Sequence, residues 1–410
     1  MSDKYSLPGY VTEILELFHN NGYEAYVVGG CVRDIILGKI PYDYDITTNA
    51  LPENIIEICK NKYRTIETGI KHGTITVISQ DNNLEITTYR VDGEYTDGRR
   101  PDSVFFTPNL KEDLKRRDFT INAMVLNKEG RIADYFDGVG DISKKIIRSI
   151  GSAIERFNED ALRILRALRF SSVLGFFIDK ETSDAIHSEK HLLSKVSAER
   201  IYVELNKMFM SEHICTLEHN IYEYVDVLSE ILDVICNENE YRKICHNVIK
   251  IPGTSELRFT YFLCGISAFA TESLTTNLNK LKVSNAFRSK ALAINGILSS
   301  DKPAETLYDA KKIVIHYGIK HAKDAAEIIL AVMENSNLIN HLKEIEENNY
   351  CVSINMLDIN GNEIRDMLGV SGKEIGSLLE ILLDVVMKNN VNNEKYELME
   401  YLKTIVNKNE

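Results

Sequence analysis

The sequence predicts an α+β fold: a small mixed sheet with helices near the N-terminus, followed by helices to the end of the chain. Two observations predict it. The β-branched runs Ala25-Tyr-Val-Val28, Thr74–Ser79 and Leu84–Tyr89 all fall before residue 90. Beyond about residue 152 the apolar residues recur at helical spacing instead.

Taken in order, residues 1–24 read as a helix on Val11, Ile14, Leu15, Leu17 and Phe18, ended near Gly22. Ala25–Val28 reads as a strand that stops at Gly29-Gly30. A short helical pattern (Val32, Ile35, Ile36) follows and ends at Gly38, and Asp43 and Asp45 lead into Ile46. Residues 52–60 read as a helix with Pro52 in its first turn. The runs 74–79 and 84–89, separated by Gln80-Asp-Asn-Asn83, are a hairpin signal. Residues 91–102 are glycine-rich, charged and short of aliphatics, so a mobile loop is expected. Arg116 and Arg117 are expected to begin a helix running through Phe119, Ile121, Met124 and Val125. Asp134-Tyr-Phe-Asp-Gly138 and Asp141 close the α/β module near residue 150. Glu159–Phe170 is the strongest amphipathic segment, with Asp160, Arg163, Arg166 and Arg169 recurring every three residues. Ser197-Ala-Glu-Arg-Ile201 opens another helix. Helices then continue, broken at Pro252-Gly253 and Lys302-Pro303, with two or three more after Ile359.

Composition narrows the function classes. A chain of 410 residues holds two to four modules. The net charge of −13 argues against a general nucleic-acid coat protein, which needs a positive field. Lys111–Arg169 differs: thirteen Lys/Arg less ten Asp/Glu leaves +3. Seven scattered cysteines, an odd number without a C-x-x-C, fit free thiols of a reducing cytosol better than a zinc site. No His-Asp dipeptide occurs to anchor an HD-type phosphohydrolase. No stretch approaches the ~20 apolar residues of a membrane span, and the N-terminal MSDKYSLPGY has no signal-peptide pattern.

The chemistry concentrates in Gly29–Asp45. Residues two apart on a strand face the same way, so Asp43 and Asp45 would stand side by side. Two adjacent carboxylates repel unless a cation joins them, and Mg²⁺ prefers oxygen ligands. Paired glycines before a helix let phosphates approach backbone N–H groups. Glu85 is a third carboxylate if its strand pairs beside that of Asp45; otherwise it is an exposed strand residue. A basic pair at a helix N-terminus, as expected for Arg116-Arg117, opposes the helix dipole unless an anion sits there. The Asp160/Arg row has a plainer reading as a surface salt-bridge row worth about 0.2–0.5 kcal/mol per pair.

GGCVRD with Asp43-Tyr-Asp45, then RRDFTINAM, D-x-x-D-G, EDALRILRALRF and SAERI occur in one order. That set resembles the class II tRNA nucleotidyltransferases, the CCA-adding enzymes of the tRNA nucleotidyltransferase/poly(A) polymerase family. NGNEIRDML, GKEIGSLLEILLDVV and NNEKYEL extend the similarity into the C-terminal region. The resemblance implies a polymerase-beta-type head (1–150), a neck that recognises the base (151–212), a helical body (213–340) and a tRNA-binding tail (341–410). It implies a cytoplasmic enzyme that adds C, C and A to tRNA from CTP and ATP with Mg²⁺. Asp43 and Asp45 match the metal ligands and Glu85 the third catalytic carboxylate. Gly30, Arg33 and Arg117 match nucleotide-contacting positions. Asp160 and Arg163 match the pair that reads the base, with Arg166 and Arg169 further along the same helix. A carboxylate that accepts from an exocyclic amino group, beside a guanidinium that donates to a ring nitrogen, suits cytosine and adenine and opposes uracil and guanine.

Three enzymes compete with full CCA addition: an A-adding specialist, a CC-adding specialist and a bacterial poly(A) polymerase. A decayed, non-catalytic RNA-binding protein is a fourth reading. RTIETGIKHGTITVI resembles the CCA-adding branch. The loop 92–102, with Asp97, Arg99 and Arg100, resembles the loop that A-addition needs.

Overall fold

The computed structural model describes residues 5–79, 82–93, 103–253, 256–300 and 304–406. The chain divides into two compact units, Met1–Leu232 and Asp233–Glu410.

The first unit opens with α1 (Gly9–Asn20), which buries Val11, Ile14, Leu15 and Phe18 on one face. Gly22 then turns the chain at φ +81°. Strand β1 (Ala25–Val28) leads through Gly29 into α2 (Gly30–Ile36), and the chain returns as β2 (Asp45–Thr48). Helix α3 (Pro52–Cys59) carries Pro52 at its start, where a missing N–H costs nothing. Next come β3 (Arg64–Ile66), β4 (Thr74–Ser79), β5 (Asn82–Thr88), and a separate ribbon of β6 (Arg90–Asp92) and β7 (Val104–Phe106). Helix α4 (Leu110–Lys115) precedes β8 (Met124–Leu126) and β9 (Ile132–Asp134). The expected hairpin is present, with β4 antiparallel to β5. The loop expected at 92–102, with Asp97, Arg99 and Arg100, lies outside the described residues from 94 on.

The sheet has seven strands in the order β3-β4-β5-β2-β1-β8-β9. It is mixed: β2 and β5 run parallel, with Asp45 opposite Glu85, while β1 runs antiparallel to β2 and to β8. Register therefore brings three sequence-distant points side by side within the sheet, since Val28 faces Asp45 on one side and Val125 on the other. Val28, Tyr89, Leu114, Ala123 and Val125 pack beneath them.

Helices α5 (Gly138–Lys144), α6 (Ala153–Glu159), α7 (Leu162–Leu174), α8 (Lys180–Glu189), α9 (Ala198–Phe209), α10 (Ile214–Glu223) and α11 (Val225–Leu228) complete this unit. The helical run is interrupted once: Phe177–Ile178 pairs in parallel with Ile146–Ile147.

Two expectations are corrected here. Arg116-Arg117 does not begin a helix. It follows α4, and the residues after it form a 3-10 turn (Thr120–Asn122) and β8. The helix starts instead at Asn109, whose side chain accepts from the Lys111 amide, with Glu112 and Asp113 in the first turn. The basic pair is thus at a helix C-terminus, where the dipole favours it. Glu159–Phe170 is not one helix either: α6 ends at Glu159 and α7 starts at Leu162.

The second unit is helical throughout its described residues, from Glu238–Val248 to Lys395–Val406. Capping boxes at Asn237/Glu240, Thr306/Asp309 and Asn360/Glu363 start three of its helices. The last three helices close on Ile364, Leu382, Leu398 and Leu402.

Phe18 is fully buried between α1 and the sheet. Phe18→Ala is expected to cost about 3–5 kcal/mol, measured as a lowered midpoint for the first unit's transition in urea.

Candidate active site

Gly29 sets the geometry of the site. At φ 88°, ψ −140° it occupies backbone space that L residues rarely enter. A Cβ there would stand 3.2 Å from the Arg117 guanidinium and 4.0 Å from Asp45 Oδ2. The bare glycine thus lets a cation and a carboxylate approach the start of α2. The first helical amide bond there is Arg33 N–H to Gly29 C=O at 3.3 Å, so the amides of Gly30 to Val32 have no intrahelical acceptor.

Asp45 is the first residue of β2, but Asp43 precedes the strand. The expectation that both lie on it is therefore met only by Asp45. Alternation nevertheless extends backwards: Asp43 is exposed, Tyr44 buried and Asp45 half-buried. Glu85 is exposed and stands in register with Asp45 on β5. The Asp45 carboxyl is pushed up to about 6, first by burial, with Asp43 and Glu85 adding to the rise and Arg117 opposing it. Among the described residues no three His, Cys, Asp or Glu side chains converge as a metal site. Two oxygen ligands with a third in register, destabilised by mutual repulsion, still fit a hard divalent cation.

Arg117 faces this cluster from the other side. Burial lowers its guanidinium below the ordinary value. Its Nε is buried without a hydrogen-bond partner among the described residues, and its nearest carboxylate is Asp113, at 3.9 Å. Asp113 is itself fully buried: Thr47 Oγ1 donates to it at 3.1 Å and Arg116 Nε at 2.9 Å.

Arg33 is buried. It donates to Asp34 at 2.8 Å and 2.9 Å and to Asn122 Oδ1 at 2.8 Å. Asn122 passes the connection on, its Nδ2 donating to Asp118 Oδ1 at 3.1 Å. Arg166 closes the chain on Asp118 Oδ2 at 2.5 Å and 2.9 Å. Burial alone would raise the Asp118 carboxyl. The Arg166 charge and hydrogen bond, the Asn122 amide and the Arg163 charge outweigh it and hold the carboxyl well below the usual carboxylate range. A continuous hydrogen-bonded path thus runs from the glycine turn to α7.

The four residues of the charged row do not form the surface salt-bridge row of the plainer reading. Asp160 sits at the junction of α6 and α7, with φ −144°. Its Oδ1 accepts from the Leu162 amide at 3.1 Å, and its Oδ2 pairs with Arg200 at 2.7 Å. Arg163 does not pair with Asp160. It is buried, and donates to Glu159 at 2.6 Å and to the Arg116 carbonyl at 3.0 Å. Arg169 pairs with Glu204 at 2.7 Å, and burial lowers its guanidinium. Arg33, Arg166 and Arg169 surround the Phe170 ring at 5.2, 5.2 and 4.1 Å. Asp113, Asp118, Asn122, Arg200 and Glu204 were not singled out in the sequence. RRDFTIN and SAERI contain three of them, but their partners lie tens of residues away.

Comparisons with known proteins place the chain in a family. The family described as "Poly A polymerase head domain" matches residues 25–148. "Probable RNA and SrmB- binding site of polymerase A" matches 175–216, and "tRNA nucleotidyltransferase domain 2 putative" matches 252–402. The CCA-adding enzyme of Lactococcus lactis subsp. cremoris (strain MG1363) is 34% identical, over 96% of this chain and 95% of its own. That of Staphylococcus haemolyticus (strain JCSC1435) is 35% identical, over 95% and 96%. The crystal structure of the Bacillus stearothermophilus CCA-adding enzyme in complex with CTP superposes with a TM-score of 0.80 at 28% identity, over 98% of both chains. With sequence similarity running the length of the chain and the same architecture, this protein belongs to the family of CCA-adding enzymes.

Proposed function

We propose that this chain adds C, C and A to the 3′ end of tRNA, from CTP and ATP and without a nucleic-acid template. The observation that carries the reading is the hydrogen-bonded path from Gly29-Gly30 through Arg33, Asn122 and Asp118 to Arg166. It ties the glycine turn, beside carboxylates that pair with no cation among the described residues, to the helix pair that carries Asp160 and Arg163. Homology to CCA-adding enzymes, one of them solved with CTP, supports the substrate class.

Asp43 and Asp45 would hold Mg²⁺, with Glu85 as the third carboxylate. Bound there, the ion supplies charge that activates the RNA 3′-hydroxyl and stabilises the departing pyrophosphate. Gly30 and its neighbours offer backbone amides to the triphosphate, and Arg33 and Arg117 add positive charge. Asp160 accepts from the exocyclic amino group of C or A, and Arg163 donates to the ring. Arg166 and Arg169 hold the nucleotide on α7. Residues 1–150 form the catalytic head, 151–212 the neck, 213–340 the body and 341–410 the tRNA-binding tail. Among the described residues no helix is long and apolar enough to cross a membrane, and we place the reaction in the cytoplasm.

The deciding experiment offers tRNAs lacking CCA, CA or A with each labelled triphosphate alone and in pairs. CTP addition to the shortest end, followed by one ATP, is expected. ATP use on the -CC end alone would identify an A-adding enzyme, and C addition without a final A a CC-adding one. Long A tails on arbitrary RNA would identify a poly(A) polymerase.

Asp43→Ala and Asp45→Ala are expected to reduce incorporation to background while circular dichroism stays unchanged. Asp160→Ala is expected to relax discrimination against UTP and GTP by about 10²-fold or more, read as competing incorporation. The raised Asp45 value has a further consequence. A carboxyl whose folded pKa of about 6 exceeds its ordinary 3.8 destabilises the fold as pH rises through that window. Asp45→Asn should therefore raise Tm at pH 7 and bring little gain at pH 4. Added Mg²⁺ should raise the wild-type Tm at pH 7 and leave that of Asp45→Asn nearly unmoved.

A further inference from the structure

The segment leading into Asp43 is unusual in what it exposes. Ile40 is 95% and Tyr42 103% exposed, the two largest values among the exposed large hydrophobic residues described. Both lie in Lys39-Ile-Pro-Tyr42, the irregular stretch between α2 and β2. Burial reverses within two residues, because Tyr44 is buried and meets Tyr10 edge-on at 6.2 Å. Tyr44 thus anchors the segment while Tyr42 is presented to solvent. Pro41 fixes one backbone torsion between the two exposed side chains. Among the described residues Tyr42 has no hydrogen-bond or ring partner. An aromatic ring held out of the core forfeits burial free energy, and this one directly precedes Asp43 in the chain.

We propose that Tyr42, flanked by Ile40, stacks on the 3′-terminal base of the RNA primer and so sets its 3′-hydroxyl beside Asp43 and Asp45. The proposal rests on the nucleotidyl-transfer reading above and names the primer contact that reading lacks. Its logic is chemical. In successive additions to one tRNA the terminal base changes: first the base preceding CCA, then C, then C again. A hydrogen-bonding contact matched to one edge pattern would reject the next. Every base presents a π-face, so stacking tolerates the change. The incoming nucleotide is selected by polar groups at Asp160 and Arg163, while the primer end needs only orientation. An exposed ring one residue before Asp43 supplies that without reading sequence.

The test compares Tyr42→Ala, Tyr42→Phe and Tyr42→Trp in steady state, on tRNAs ending at the base before CCA, at C and at CC. Stacking on one base predicts a loss for Tyr42→Ala of roughly tenfold or more in kcat/KM for tRNA. The loss should be similar on all three ends, with KM for CTP and ATP unchanged. Phe and Trp keep the π-face and should keep activity close to wild type. Ile40→Ala should show a smaller loss of the same kind. Wild-type kinetics in Tyr42→Ala would overturn the proposal. So would Tyr42→Phe as damaged as Tyr42→Ala, since the hydroxyl rather than the ring would then be the working group. A matching rise in the triphosphate KM would assign Tyr42 to the nucleotide site instead. If the wild-type protein extends no tRNA, the transfer reading fails and this proposal with it. Wild-type extension with an indifferent Tyr42→Ala defeats the proposal alone.

Discussion

The first unit depends on one buried carboxylate. Asp118 lies between the sheet and α7, where an unpaired charge would be costly. Arg166 satisfies one of its oxygens, while Asn122 and the Phe119 amide satisfy the other. Asn122 also accepts from Arg33, so the orientation of the glycine-turn arginine is set by a residue on another element. Two neighbouring bonds reinforce the clamp: Arg163 grips the Arg116 carbonyl and Arg156 the Lys115 carbonyl, at 3.0 and 3.4 Å. Residues 115–118 are therefore held from one side by arginines of α6 and α7. On the other, Asp113 binds Thr47 of β2. Such a network specifies position because leaving any member unpaired is expensive.

Charge is distributed unevenly across this region. The arginines of α7 each have a carboxylate: Glu159 for Arg163, Asp118 for Arg166, Glu204 for Arg169. They are fixed donors before any ligand arrives, as preorganised electrostatic stabilisation requires. The acids at the β2 edge are the reverse. Asp45 has Asp43 and Glu85 for neighbours, and among the described residues Arg117 is the charge that opposes their repulsion. Stability alone would not favour that arrangement, and a carboxyl shifted by burial beside like charges is a mark of function.

What the sequence shows is what local chemistry decides. The glycine turn, the short α2 and the hairpin follow from residue types next to one another, and each is present. The α+β class and the switch to helix follow from periodicity. The failures have two causes. Nothing in Glu159–Phe170 breaks a helix by propensity: Asp160-Ala161 contains neither glycine nor proline. The break is stabilised by Arg200, forty residues on, and by the Leu162 amide that Asp160 itself caps. The start of α4 is legible in Asn109, Glu112 and Asp113, and the basic pair that follows belongs to its C-terminal end. Asp118 and Glu204 were invisible as site residues because their importance lies in distant partners.

The break at Asp160 has a mechanical side. Its N–H makes the last bond of α6, to the Arg156 carbonyl at 3.3 Å, and its own carbonyl accepts from Arg163, in the first turn of α7. The residue is the joint between two rods, and its side chain is the one proposed to touch the base. Whatever engages that carboxylate in place of Arg200 pulls on the joint itself. On the proposed reading, the group that meets the nucleotide is also the residue that joins the two helices.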